Sequence, residues 1–340
     1  MKATITDVAK EAGVSIKTVS RVMNNEPSVR QPTRDKVMAA VKSLNYQPNL
    51  AARNLAGTKA FSIAFIYDNP NAYYVIDMQN GILSACKKQG FELVIHPCQA
   101  KSENLLEEIT NMIKHSRIAG LVLTPPFSER PEFVQHLLDL EVEVVRIISG
   151  SSLPDNLAPC VMVNDREAAF NITQHLIDLG HKDIGFIAGG AEHMSTVERM
   201  RGFKQALHDN DISLDESLIV HGEYSFESGV QSAKQLLSAD KKPTAIFSCN
   251  DEIAAGALFA ARLMGVDIPT HLSITGFENS PFSRQTWPRL TTANQPNVKI
   301  AEDAANLLIA KARKQTAKLP MPQFVPQLIV RDSTADINAQ

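Results

Sequence analysis

The sequence predicts an α/β protein in two parts: a small, basic, all-helical head and a large body of doubly wound parallel sheets. Three observations lead there. The chain has 340 residues, which at about 100–200 residues per domain implies two or three domains. Its charge is unevenly divided. Residues 1–60 carry ten Lys/Arg against four acids, a balance of +6, while the remainder holds 24 basic and 33 acidic residues, a balance of −9. That pattern is expected where only the head meets a polyanion. Third, from residue 61 onward short apolar runs alternate with amphipathic stretches, as in successive βαβ units.

Composition narrows the class. With 44% hydrophobic and 21% charged residues, the chain reads as globular rather than fibrous or disordered. No apolar run approaches the ~18 residues of a membrane span, and the N-terminal stretch lacks the apolar core of a secretory signal. The four cysteines (Cys86, Cys98, Cys160, Cys249) are scattered without a C-x-x-C pair. A cytoplasmic protein with reduced thiols, no membrane contact and no metal centre is the expectation.

In the head, Thr6 is read as the cap of a first helix, with Asp7 in its first turn near the positive dipole end. Val8, Ala9 and Ala12 share one face. Gly13 ends the helix, since it readily takes the left-handed conformation. Ser15 caps a second helix over Ile16–Met23, with Val19 and Val22 inward. A third helix, Pro32–Asn45, begins with Pro in its first turn and aligns Val37, Ala40, Val41 and Leu44. Two short helices joined by a Gly-containing turn form a helix-turn-helix. Its second helix leaves Ile16, Lys17, Ser20 and Arg21 outward. A helix fits the major groove, where Lys17 and Arg21, four residues apart, can donate to guanine and Ile16 can meet a thymine methyl. Ser15, Thr18 and Ser20 suit phosphates, which fix register without reading sequence. Thr6 and Asn24 complete the candidate DNA contacts.

The segments TITDVAKEAGVSIKTVSRVMNN and NYQPNLAARNLAGTKA resemble the headpiece and hinge of the LacI/GalR family of bacterial transcriptional repressors. The match is dense over 1–60 and continues at intervals through the body. The resemblance implies a homodimer on a pseudo-palindromic operator in double-stranded DNA, controlled by a small-molecule effector, with Ile16, Lys17 and Arg21 at major-groove reading positions. It divides the chain into a headpiece over 1–46, a hinge over 47–59 and an effector-binding and dimerisation region over 60–340. A helix as short as the hinge is marginal alone. The family's paired hinge helices enter the minor groove, and Leu55 matches its wedging leucine; such wedging unstacks base pairs and is offset by contacts to the kinked duplex.

In the body, residues 61–68, 91–98, 120–126, 142–148, 161–164, 184–189, 245–250 and 273–277 read as buried strands. Helices such as 72–89, 166–179, 196–210, 226–238 and 252–264 separate them, and near-continuous apolar strands suit parallel sheets. Two half-repeats are expected, about 61–158 and 159–292, then a long helix (about 297–314) and a last strand, FVPQLIV. The resemblance adds a periplasmic-binding-protein-like clamshell crossed three times by the chain. Its N-lobe is about 60–158 and 294–319, and its C-lobe about 159–293 and 320–340.

Ligands of such sheets bind at the carboxyl ends of strands, between lobes. No phosphate-binding glycine loop or nucleophile elbow occurs, so an enzyme is not expected and no cofactor is implied. His175, His181 and Asp183 are near in sequence but fall on different elements. A sugar or glycoside cleft needs planar polar groups for hydroxyl pairs and an aromatic face. Asn250, Asp251, Glu278 and Asn279 occupy strand ends. By resemblance, Arg199 matches a ligand-holding arginine and Asn250 a polar contact. Glu278 stands where the family often has Asp. Tyr73, Tyr74, Tyr224 and Phe277 are candidate aromatic walls, and Gln295 can contribute from a crossover. Where the family often places an acid after the fourth strand, this chain has Ser149. The competing expectation is a soluble carbohydrate-binding protein without regulatory DNA binding, against which the headpiece argues.

Overall fold

The computed structural model describes residues 3–23, 28–46, 61–69, 71–150, 155–315 and 321–337. The chain divides into two compact units, Met1–Phe61 and Ser62–Gln340. Asn24 and the expected hinge over 47–59, with Leu55, lie outside the described residues.

The first unit contains α1 (Ile5–Ala12), α2 (Ile16–Met23) and α3 (Gln31–Ser43). Val8, Ala9, Val19, Val22, Val37 and Ala40 are buried together, and Ile5, Val14, Val41 and Leu44 pack around them. The cap of α1 corrects the sequence reading. Thr4, not Thr6, is the N-cap: its hydroxyl accepts the Asp7 N–H while the Asp7 carboxylate accepts the Thr4 N–H, at 2.8 Å. Because the reciprocal pair needs its acid three residues on, Asp7 selects Thr4 and leaves Thr6 inside the helix. Gly13 ends α1 at φ +64°, its N–H returning to Ala9 and Lys10 carbonyls. Ser15 Oγ accepts the Thr18 N–H at 3.1 Å, as expected of a cap.

The second unit begins with β1 (Ser62–Tyr67), α4 (Ala72–Gln89), β2 (Glu92–Pro97), α5 (Leu105–Ser116), β3 (Gly120–Leu123), α6 (Pro131–Asp139), β4 (Glu143–Ser149) and β5 (Cys160–Val163). It continues with α7 (Asp165–Asp178), β6 (Ile184–Ile187), α8 (Met194–Asp209), β7 (Ile219–Val220), α9 (Phe226–Ser238), β8 (Ala245–Ser248), α10 (Asp251–Leu263) and β9 (Ser273–Thr275). The last elements are α11 (Pro281–Gln285), β10 (Thr292–Asn294), α12 (Asn297–Ala312), β11 (Gln323–Phe324) and β12 (Gln327–Ile329). A six-stranded parallel sheet has the order β11-β5-β4-β3-β1-β2, and a four-stranded parallel sheet the order β7-β6-β8-β9. Each sheet is the base of one lobe, and β10 and β12 pair antiparallel between Thr292↔Ile329 and Asn294↔Gln327.

Strand positions agree closely with the apolar runs, but the lobe boundaries shift. β5 pairs with β4, Arg146↔Cys160 through Ser149↔Val163, so 160–163 joins the first sheet, between β4 and β11, instead of opening the second half-repeat at 159. The expected last strand is two. Phe324 pairs with Val163 in the first lobe, while Leu328 pairs with Ala293 beside the second. Pro326 separates them, having no N–H to continue a ladder. The chain thus changes lobe three times: at Asn164, between β10 and α12, and at Val325-Pro326.

The second lobe holds a core of Phe186, Phe203, Phe247, Ile246, Ile274 and Phe277. Part of the first lobe's core gathers Ile66, Ile109, Leu121, Leu123, Phe127 and Val144. No described helix is long and apolar enough to cross a membrane.

Candidate functional site

The carboxyl ends of the parallel strands face one another across the two lobes. There the first lobe contributes Asn69 and Asn71 after β1, Pro125 after β3 and Ser149 ending β4, with Tyr74 from the first turn of α4; Asp165 stands at the crossover after β5, as the first residue of α7. The second lobe contributes His193, Ser195, Arg199, Tyr224, Asn250, Glu278 and Gln295. These residues line a cleft with about 530 Å³ of empty space, counted out to its open side. A second chamber of about 670 Å³ adjoins it, sharing His193 and Tyr224 and lined also by Asp68, Lys101, Arg130, Glu192 and Glu223.

At the centre is a buried ion pair. Arg199, one turn into α8, donates Nε–H to Asp165 Oδ1 at 2.8 Å, with both side chains at most 4% exposed. Its Nη1 donates to the Cys249 carbonyl, Nη2 reaches Gln295 Oε1 at 3.4 Å, and its plane lies 3.7 Å from the Phe277 ring centroid. Burial opposes the charge, but Asp165 more than compensates, and the Arg199 pKa is raised above its ordinary value.

Glu278 ends the loop after β9 at φ +98°. It accepts the Asn71 Nδ2–H of the opposite lobe at 2.8 Å. Burial pushes its carboxyl up to about 8, Arg199 pulling it back only in part. Asn250 caps α10 by accepting the Ile253 N–H at 2.8 Å. Its Nδ2 is fully buried and has no hydrogen-bond partner among the described residues. Ser149 donates Oγ–H to Asp165 at 2.5 Å and its N–H to Glu129 at 3.0 Å. Glu129 also accepts the Met194 N–H, the first amide of α8, at 3.2 Å, and so spans the two lobes. Its pKa is pushed up to about 7 by burial.

The aromatic expectations divide. Tyr74 and Tyr224 line the chamber. The Tyr224 hydroxyl bonds Thr196 Oγ1 at 2.8 Å and its ring meets His193 edge to face. Gly189 permits this, since a Cβ there would fall within the Tyr224 ring. Tyr73 turns away from the chamber to Phe282, at 5.6 Å between centroids. Phe277 is fully buried beneath Arg199 and supports the wall without lining it. Ser149, Arg199, Asn250, Glu278 and Gln295 converge as expected; Asn71, Glu129, Asp165, His193 and Ser195 were not anticipated. Asp251 and Asn279 stand behind the wall: Asp251 accepts from Thr292 and Ser280 at 2.6 Å, and Asn279 bonds Asn294 and Arg331. His175 and His181 go to the second lobe's C-terminal segment, His175 to Thr334 and His181 to Thr244, Ser273 and the Ala335 carbonyl.

On the headpiece, Ile16 is 49% exposed. Thr6, Ser15, Lys17 and Arg21 are also exposed, whereas Thr18 and Ser20 are half-buried. Ile16, Lys17 and Arg21 thus form an outward face of α2, opposite Val19 and Val22.

Comparison with known proteins matches residues 4–49 to the lacI family of bacterial regulatory proteins and residues 173–334 to a periplasmic binding protein-like domain. Catabolite control protein A of Priestia megaterium is 32% identical over 336 residues, covering 98% of this chain and 100% of that protein. The transcriptional repressor PurR of Actinobacillus pleuropneumoniae serotype 5b is 33% identical over 340 residues, covering 99% of each. Among solved structures, the Lac repressor dimer bound to operator and the anti-inducer ONPF has a TM-score of 0.76 at 26% identity, covering 98% of this chain and 100% of that one. The regulator CelR in complex with cellobiose has a TM-score of 0.73, also at 26% identity, with the same coverage. The chain belongs to the LacI family of bacterial regulatory proteins: it is a non-enzymatic transcriptional repressor with a helix-turn-helix DNA-binding domain.

Proposed function

We propose that the protein binds a pseudo-palindromic operator as a homodimer, and that a sugar or glycoside held between the lobes sets its DNA affinity. One observation carries the effector reading. Residues from both lobes enclose a chamber with paired carboxylates, two tyrosines and an unpartnered buried amide, Asn250 Nδ2. Hydroxyl pairs satisfy such groups, and aromatic faces suit the C–H surface of a pyranose. A ligand touching both lobes binds one lobe arrangement better than another, so it shifts that equilibrium by its differential affinity. The sugar-bound CelR and the operator-bound Lac repressor support the reading by likeness. Ile16, Lys17 and Arg21 are the proposed base-reading residues, and the hinge with Leu55 the proposed minor-groove wedge.

The test has two steps. Thermal denaturation of the full chain with a panel of mono- and disaccharides identifies a ligand; at 100 times its Kd it stabilises by about 2.7 kcal/mol. The DNA site is then selected from random duplexes, and binding is measured across salt with and without that sugar. A steep negative log–log slope is expected from a headpiece neutralising several phosphates, with dimer stoichiometry and an affinity that changes when the sugar is added. A sugar that stabilises the protein and leaves DNA affinity unchanged refutes effector control. Equal affinity for every duplex refutes operator reading. Leu55→Ala should weaken selected-site binding far more than non-specific binding; equal losses would count against wedging.

A further inference from the structure

Resting on the effector reading above, we infer that the inner chamber selects an uncharged polyhydroxyl ligand and rejects the phosphorylated or carboxylated form of the same sugar. The chamber holds one arginine, and it is already committed. Nε of Arg199 is on Asp165, Nη1 on the Cys249 carbonyl, Nη2 on Asp165 and Gln295, and one face is on Phe277. An incoming anion would have to displace these contacts to gain a charge partner. Glu278, in contrast, has no ion-pair partner among the described residues, only the Asn71 amide. Glu129 lies directly behind Ser149 with each oxygen on a backbone N–H. His193 adds no positive charge near neutral pH, because burial holds its pKa below the ordinary value. With Glu278 and Glu129 both ionised, which their raised pKa values place above about pH 8, the charge around the chamber is three carboxylates against one guanidinium.

Hydrogen-bonding capacity points the same way. Asn250 Nδ2, fully buried at the wall, requires an acceptor. Glu278, when ionised, can accept donors beyond the Asn71 amide. A hydroxyl both donates and accepts, so a pair of neighbouring hydroxyls can answer both. Phosphate and carboxylate offer acceptors only; they could satisfy Asn250 but would leave Glu278 facing like charge in a largely desolvated space, where such repulsion is weakly screened.

The experiment compares matched probes on the full chain by thermal denaturation at pH 7 and pH 9. The neutral set is glucose, galactose, mannose and cellobiose. The anionic set is glucose 6-phosphate, glucuronate, galactose 1-phosphate, mannose 6-phosphate and cellobiose 6′-phosphate. At least one neutral sugar is expected to raise the midpoint, and its anionic counterpart to need at least a hundredfold higher concentration for the same shift at pH 9, with a smaller ratio at pH 7, where Glu278 is largely protonated; a ratio that does not grow between pH 7 and pH 9 counts against the carboxylate. In Glu278→Gln, that discrimination should narrow at least tenfold even though both affinities change. An anionic probe that binds as tightly as its neutral parent overturns this inference and leaves the effector reading standing. Unchanged discrimination in Glu278→Gln overturns the part assigned to the carboxylate. If no probe of either set moves the midpoint, the sugar reading falls and this inference falls with it.

Discussion

Replacing Arg199 with Met tests whether the chamber is organised around its buried ion pair. Arg199 and Asp165 are 2.8 Å apart with side chains 4% and 3% exposed. The substitution fills similar volume but leaves the Asp165 carboxylate with only the Ser149 hydroxyl, and the Cys249 carbonyl without its donor. Breaking one side of a buried pair costs about 3–5 kcal/mol, because the remaining charge stays desolvated. For a body of this size that is roughly 2 °C per kcal/mol, so the midpoint of the body's unfolding should fall by about 6–10 °C. Adding Asp165→Asn removes the stranded charge, and an apolar-neutral pair of similar shape is often nearly as stable as the ions it replaces. The double variant should therefore recover at least half of the loss, about 1.5–2.5 kcal/mol, and the coupling exceeds that recovery by whatever Asp165→Asn costs alone. Differential scanning calorimetry with parallel urea titrations measures all four proteins of the cycle. A single variant losing under 1 kcal/mol, or a double variant whose loss equals the sum of the singles, would refute the reasoning.

Other outcomes follow from particular contacts. Burial raises the folded pKa of Glu278 to about 8, above the unfolded value, so its contribution is fully present below about pH 4.5 and is lost as pH rises through 8. Wild type minus Glu278→Gln stability should decline from pH 5 to pH 9; a flat difference curve contradicts the shift. Thr4→Ala removes the hydroxyl half of the α1 capping box and keeps the backbone N–H bond to Asp7; it should destabilise the headpiece by about 1 kcal/mol, seen as faster amide exchange at Val8 and Val19, whereas Thr6→Ala should leave exchange unchanged. Lys17→Ala should relax base preference or flatten the salt slope by about one unit, and no change in either removes Lys17 from the DNA contacts. Gly189→Ala forces a methyl into the Tyr224 ring, so sugar binding should weaken more than tenfold while DNA binding without sugar stays intact.

The strands were legible because parallel, doubly covered strands read as near-continuous apolar runs, and runs such as SIAFIY and AIFS are buried as expected. What periodicity does not encode is sheet membership. Cys160–Val163 looks like the first strand of a new half-repeat, yet it pairs with β4, a contact decided by tertiary packing. Pro326 was the available signal that FVPQLIV is not one strand. Within the site, groups named by motif were found: Arg199, Asn250 and Glu278. Of the groups at the strand ends of the first sheet, Ser149 was named and the others were not. Asn71, Glu129 and Asp165 follow β1, β3 and β5, so the strand-end rule applied uniformly to both sheets would have nominated them. Tyr73 and Tyr74 illustrate a finer limit. Neighbours on a helix point about 100° apart, so only one of the two could face the chamber.

The bonds that span the lobes have a kinetic consequence. Asn71 to Glu278 and Glu129 to the Met194 amide each join one lobe to the other, so parting the lobes breaks both. For the proposed sugar effector, entry that waits on that parting would make the observed association rate level off as sugar concentration rises, at the frequency with which the unliganded clamshell opens.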